Sequence, residues 1–139
     1  MCGITGYVKL QAPKDELQKC IYQACRSLRH RGPDQEGFYI EDGIAMGVAR
    51  LAIRDPINGL QPMQTEDHVL AYNGELYDTE NLKHRLIQNG YSFRTSSDTE
   101  ILLNSFSEFG SSILPELNGM FAFAVWDKKY RFLTLARDR

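Results

Sequence analysis

The stretch Phe38-Tyr39-Ile40-Glu41-Asp42-Gly43-Ile44-Ala45-Met46-Gly47-Val48-Ala49-Arg50-Leu51 decides the fold class. Phe38 to Ile40 and Ile44 to Leu51 flank Asp42-Gly43, a dipeptide that supplies the positive φ a two-residue hairpin turn needs, so an antiparallel pair is predicted. Upstream, a short apolar stretch runs from Gly3 to Val8. Asp15 to His30 then places Leu17, Ile21, Ala24 and Leu28 at helical spacing, one buried stripe on an amphipathic helix. Downstream, a strand is predicted from His68 to Tyr72, ending at Asn73-Gly74. A helix over Thr79 to Asn89 carries Leu82, Leu86 and Ile87. Ser97 stands three residues before Glu100 and opens Ile101-Leu102-Leu103 with Phe106 one turn on, the sequence form of a capping box at a third helix. The apolar runs Met120 to Trp126 and Phe132 to Ala136 are predicted to be neighbouring strands in a buried sheet. Strands in hairpins with helices in a block between them indicate a layered α+β fold rather than a βαβ repeat.

The bulk properties narrow the function classes. At 139 residues the chain has the size of one domain. Its 16 basic residues are scattered and outnumbered by 18 acidic ones, so no nucleic acid partner is expected. The first ten residues, MCGITGYVKL, hold no basic and apolar signal-peptide pattern, and no run of ~18 apolar residues marks a membrane span. A cytoplasmic location is expected, with no membrane partner. Three cysteines, Cys2, Cys20 and Cys25, are too few for a disulfide scaffold, which fits a reducing compartment.

Cys2 is the candidate nucleophile because of its position. If Met1 is removed, Cys2 carries both a thiol and a free α-amine, whose ordinary pKa of about 7.7 to 8.0 suits it to act as a base near neutral pH. The thiol of a free cysteine, with pKa of about 8.5, is mostly protonated at pH 7 and needs such a base. The alternative is a small second residue with no role. Cys20, Cys25 and His30 are five residues apart, about 140° around a helix, so they share no face and no metal site is expected. His68 and His84 have no sequence neighbour that would make a catalytic dyad, which leaves surface or packing roles.

Six segments set Cys2 in a wider pattern: CGITGYV at the start, RHRGPD at 29 to 34, RLAIRD at 50 to 55, NGELYD at 73 to 78, SSDTEIL at 96 to 102 and GMFAFAVWD at 119 to 127. In this order they resemble the glutaminase domain of the asparagine synthetase family, within the class II glutamine amidotransferases, over essentially the whole chain. The resemblance implies an N-terminal-nucleophile-type four-layer αββα sandwich of antiparallel sheets. It also implies hydrolysis of L-glutamine through a Cys2 thioester, with ammonia passed to a synthetase domain. By the same resemblance Arg50 binds the glutamine α-carboxylate, a task suited to a guanidinium fork. Leu51 and Ile53 shape the adjacent wall, Ile53 through its backbone. Asn73 and Gly74 form the oxyanion hole, and Glu75 and Asp98 hold the α-ammonium group. The RHRGPD loop, with Arg31, Gly32 and Asp34, borders the site without a chemical step.

Each residue keeps a plainer alternative at this point. Arg50 also reads as a charged strand-end residue, Asn73-Gly74 as a short hairpin turn, and Asp98 as a first-turn acid complementing the helix dipole. The family's domain continues past Arg137-Asp138-Arg139 through a glycine- and proline-containing segment and further strands, so the resemblance implies residues 1–139 are a glutaminase domain incomplete at its C-terminus. ATP and Mg2+ belong to the synthetase domain, whose phosphate-binding motifs are not found here, so no cofactor is expected in this chain. A homodimer is compatible with the pattern. The rivals are a noncatalytic binding or regulatory module that keeps the fold, and the glutaminase half of an amidotransferase with another acceptor.

Overall fold

A computed structural model describes residues 2–139. Gly3–Val8 (β1), Gln35–Glu41 (β2) and Ile44–Arg50 (β3) form one antiparallel sheet in the order β1-β3-β2. Met63–Gln64 (β4), His68–Leu76 (β5), Gly119–Asp127 (β6) and Phe132–Arg137 (β7) form a second antiparallel sheet in chain order. Helix Lys14–Ser27 (α1) covers the first sheet. Helices Glu80–Gln88 (α2) and Asp98–Phe109 (α3) link β5 to β6, with α3 against β5, and a 3-10 helix, Gly110–Glu116, leads on to β6. The layers are therefore helix, sheet, sheet, helix, the αββα order the resemblance implies.

The two-residue period of a strand explains how three cores arise from so few elements. Ala45 of β3 points to α1 and meets Leu17 and Ile21, while Ile44, Met46 and Val48 point the other way into the space between the sheets. There they meet Val69 and Ala71 of β5 and Trp126 of β6. Leu70 and Tyr72, on the opposite face of β5, pack with Leu102, Leu103 and Phe106 of α3. The buried indole N–H of Trp126 donates to Glu41 Oε1 (2.7 Å), so the largest inter-sheet side chain leaves no unpaired donor.

The opening hairpin is as predicted, with Glu41 facing Ile44 and a two-residue turn in which Gly43 alone takes a positive φ (+89°). Other elements depart from expectation. Strand β5 does not stop at Asn73-Gly74: β6 pairs with it as far as Leu76 opposite Gly119, which excludes the hairpin turn there. In α1 the buried positions are Leu17, Ile21 and Cys25, four residues apart, while Ala24 and Leu28 sit at the margin. The capping box is half made. Ser97 Oγ accepts from the Thr99 amide, but Glu100 turns outward from its helix to accept the amides of Arg94 and Thr95. Strand β7 pairs with β6 as expected yet is an exposed edge, with Phe132 64% and Leu135 70% accessible.

The apolar face of α2 also differs, because Leu86 is fully buried and Leu82 packs on the core that holds α3, while Ile87 is 50% exposed. Leu86→Ala is expected to cost about 2 to 5 kcal/mol in a urea unfolding experiment, and Ile87→Ala no more than about 0.5 kcal/mol. Equal losses would contradict this orientation of the helix.

Candidate active site

Cys2, Arg50, Leu51, Ile53, Asn73, Gly74, Glu75 and Asp98 all line one cavity of about 120 Å³. Three chain segments and the start of β1 bring them together. Cys2 precedes β1 and packs on the inter-sheet core, its thiol donating to the Leu51 carbonyl (3.8 Å). Asn73 lies on the same face of β5 as Val69 and Ala71, which turns its side chain toward the first sheet. Met1 lies outside the described residues, and with it the expectation that its removal frees the Cys2 amine. Cys25 is no rival nucleophile, for burial and then Glu36 push its thiol up to about 11 and no solvent reaches it.

The exposed edge of β5 supplies the polar floor. Strand β4 pairs only with Val69 and Leu70, so the edge beyond has backbone groups without a strand partner. Alternate residues present their backbone groups to the same edge. His68 gives its carbonyl to Thr65 on that side, the Tyr72 amide donates to Gln61 Oε1 (2.8 Å), and the Leu76 amide donates to Asp98 Oδ2 (3.0 Å). Gly74 has the same parity, so its N–H faces the cavity midway between these two capped amides. A side chain could not stand at this position, since a Cβ on Gly74 would lie 2.3 Å from the Met120 carbonyl oxygen. Beside it Asn73 Oδ1 is buried without a hydrogen-bond partner, the single such side-chain atom among the described residues. An orphan of that kind costs roughly 1 to 3 kcal/mol.

Asp98, 4% exposed, opens α3 and accepts from both the Leu76 amide and the Tyr72 hydroxyl (2.9 Å) at Oδ2. Burial, and then the Asp98 charge, raise the Tyr72 phenol above its ordinary range, so it remains a donor. Arg50, 3% exposed, donates through Nη1 to the Pro56 carbonyl (3.1 Å) and through Nη2 to those of Arg54 and Asp55 (2.9 Å each). It thus gathers residues 50–56 into a loop over the cavity. The Ile53 amide turns back to the Leu51 carbonyl (3.1 Å), and its side chain is exposed. The RHRGPD loop stands behind this wall rather than in it. Asp34 accepts the Ala52 amide (2.8 Å), and the Asp34 amide donates to the Arg50 carbonyl (3.1 Å).

Sequence reasoning missed Gln61, Tyr72, Arg54 and Asp55. Arg54 and Asp55 sit within the RLAIRD segment, so their closeness to the site was legible, whereas Gln61 lies in an irregular loop with no periodic signal. His68 does have partners in space: Ser107 Oγ at 3.1 Å and Asp127 Oδ2 at 3.6 Å, remote from this cavity. Among the described residues no group of three metal-capable side chains occurs, and no helix is long and apolar enough to cross a membrane.

The family model of the glutamine amidotransferase domain matches residues 1–139. The chain belongs to this family. Over 143 aligned residues it is 41% identical to asparagine synthetase [glutamine-hydrolyzing] 3 of Bacillus subtilis, covering all of this chain and 23% of that protein. It is 39% identical over 140 residues to asparagine synthetase B of Escherichia coli, covering 99% of this chain and 25% of that one. The chain thus spans about a quarter of the length of these curated relatives. Among solved structures, glutamine phosphoribosylpyrophosphate amidotransferase from B. subtilis superposes with a TM-score of 0.76 at 22% identity, over 99% of this chain and 37% of its own, which places the fold.

Asp55 fastens the Arg50 loop to the start of α3. Its Oδ2 accepts the Ser96 amide (2.9 Å) and its Oδ1 the Asn58 amide (3.0 Å), and these bonds, Ser96 first, hold its carboxyl below the ordinary 3.8. A lowered folded-state value means the stabilisation is complete above the ordinary value and disappears as pH falls through the folded one. Asp55→Ala is therefore expected to lower the urea midpoint by a constant amount above pH of about 5, with the gap to wild type closing below pH of about 4. A gap that persists unchanged into acid would contradict the role of this carboxylate.

Proposed function

We propose that the domain hydrolyses L-glutamine to glutamate and ammonia, with Cys2 as nucleophile. The observation that carries this is the Gly74 N–H left facing the cavity between two capped amides, beside the Asn73 side chain and on the Cys2 side of β5. Two donors at that point would meet charge as it develops on the amide oxygen. One such donor is worth roughly 3 to 4 kcal/mol of barrier.

In the proposed course the α-amine of Cys2, free once Met1 is gone, takes the thiol proton. The thiolate attacks the side-chain amide carbon, and the oxyanion lies on the Asn73 amide and the Gly74 N–H. Collapse breaks the C–N bond, the proton passes to the leaving nitrogen, and ammonia departs. Water then cleaves the thioester and restores the thiol. Arg50 contributes to the α-carboxylate site, and Glu75 and Asp98 hold the α-ammonium, with Leu51 and Ile53 closing the wall. A cavity of about 120 Å³ fits an amino acid better than a drug-sized ligand, for which sites of about 300 to 1,000 Å³ are usual.

The ammonia serves a synthetase domain of the asparagine-forming type, which brings its own ATP and Mg2+. This extension rests on the names of the relatives, of which the chain covers about a quarter. A cytoplasmic setting accords with three free cysteines.

Cys2→Ala is expected to lower glutamate release by about a thousandfold or more while changing folding stability by about 1 kcal/mol or less. Glutamate release at the wild-type rate would remove Cys2 as nucleophile.

A further inference from the structure

Apart from the candidate active site, the free edge of β4 borders a second groove of about 590 Å³, lined on its other side by α3 and the segment before it. The Thr65 amide donates to the His68 carbonyl, and bonding alternates along an antiparallel pair, so the Gln64 N–H and C=O point away from β5. Met63 packs on the core that holds α3, and Gln64 turns its side chain to the opposite face, where Lys128 Nζ donates to its Oε1 (3.4 Å). What Gln64 offers the groove is therefore its backbone. Across from it stands Asn104, 6% exposed, whose side-chain amide makes no hydrogen bond among the described residues. A carboxamide carries both donors and an acceptor, and one so nearly buried is ordinarily paired. The two ends of the groove differ in charge. Ser107 of α3 meets His68, and Glu100 holds the Arg94 and Thr95 amides, so Glu66 lies toward the C-terminal end of α3 and Arg94 toward its start. Both side chains are exposed, and neither forms an ion pair among the described residues.

We propose that this groove binds an extended peptide segment that adds to the edge of β4, with an acidic side chain at the Arg94 end and a basic one at the Glu66 end. An extended chain presents N–H and C=O groups along its edge, which is what the outward Gln64 backbone lacks. The Asn104 carboxamide takes a further peptide unit of the same segment. Main-chain bonds then supply affinity, and the two charges fix the direction of the chain. A free amino acid has no peptide unit to match both Gln64 and Asn104, so a chain segment is favoured. The site is separate from the glutamine cavity, although one loop walls both: Gln61 lines that cavity, and Leu60 and Pro62 line this groove.

The test is fluorescence anisotropy of the purified chain with two labelled, end-blocked hexapeptides of alternating threonine and valine, one opening with lysine and closing with glutamate, the other reversed. One of the two is expected to bind saturably and at least about fivefold tighter than the other, since reversal sets like charges at both ends. Asn104→Leu, close in size but without the amide, should weaken that binding by roughly 5- to 20-fold, as for one buried hydrogen bond, and leave the urea midpoint unchanged or higher. Gln64→Pro removes the outward N–H and no ladder bond, so it should weaken binding while the domain stays folded. Saturating L-glutamine should leave the peptide bound. No saturable binding of either peptide, equal binding of both, or undiminished binding by Asn104→Leu or Gln64→Pro would overturn the proposal. A lower urea midpoint for Asn104→Leu would show that its amide serves the fold and overturn its role here. Displacement of the peptide by L-glutamine would place it in the active-site cavity and overturn the proposal while leaving the proposed function standing.

Discussion

Strand β5 outruns its neighbour β4, and backbone N–H groups that face away from water must be satisfied by something. This constraint organises the site. The amides of Tyr72 and Leu76 are capped by the side chains of Gln61 and Asp98, both nearly buried, and the Gly74 amide between them has only the cavity in front of it. An edge of this kind elsewhere would invite a further strand. Here the loop of residues 51–62 and the first turn of α3 stand where that strand would lie, so the edge becomes a recess lined with donors.

The frame of the recess rests on three charged side chains taken out of water, each paired more than once. Asp98 receives two donors at one oxygen, Arg50 gives to three carbonyls, and Glu100 receives the amides of Arg94 and Thr95. Such groups contribute little net stability compared with an apolar core, yet removing one partner leaves the other exposed to a low-dielectric setting. They therefore fix geometry more than they raise the unfolding free energy. The apolar work falls to the three cores, and the inter-sheet core also seats Cys2 opposite the face of β5 that carries Asn73.

The sequence made the hairpin at Asp42-Gly43, the three helices and the pairing of the last two strands legible, because each rests on local periodicity or turn chemistry. What it hid depends on distant partners. Asn73-Gly74 has the composition of a turn, and only the pairing of β6 with residues 73–76 keeps it extended. Glu100 matches a capping box by spacing, but the chain before α3 folds back and offers it the Arg94 and Thr95 amides instead. Gln61 carries no local signal at all, since its function is to cap an amide eleven residues away. The eight candidate residues drawn from motif resemblance do gather at one cavity, while their individual chemical roles rest on the proposed mechanism.

The central claim is that an activated Cys2 thiol and a glutamine-shaped recess form one site. The most direct measurement is intact mass and peptide mapping of the purified chain after exposure to 6-diazo-5-oxo-norleucine, an electrophile with the glutamine backbone. The account predicts a chain lacking Met1 with one adduct, on Cys2, and protection by excess L-glutamine. A Met1-free chain that takes no adduct, or takes it on Cys20, would contradict it.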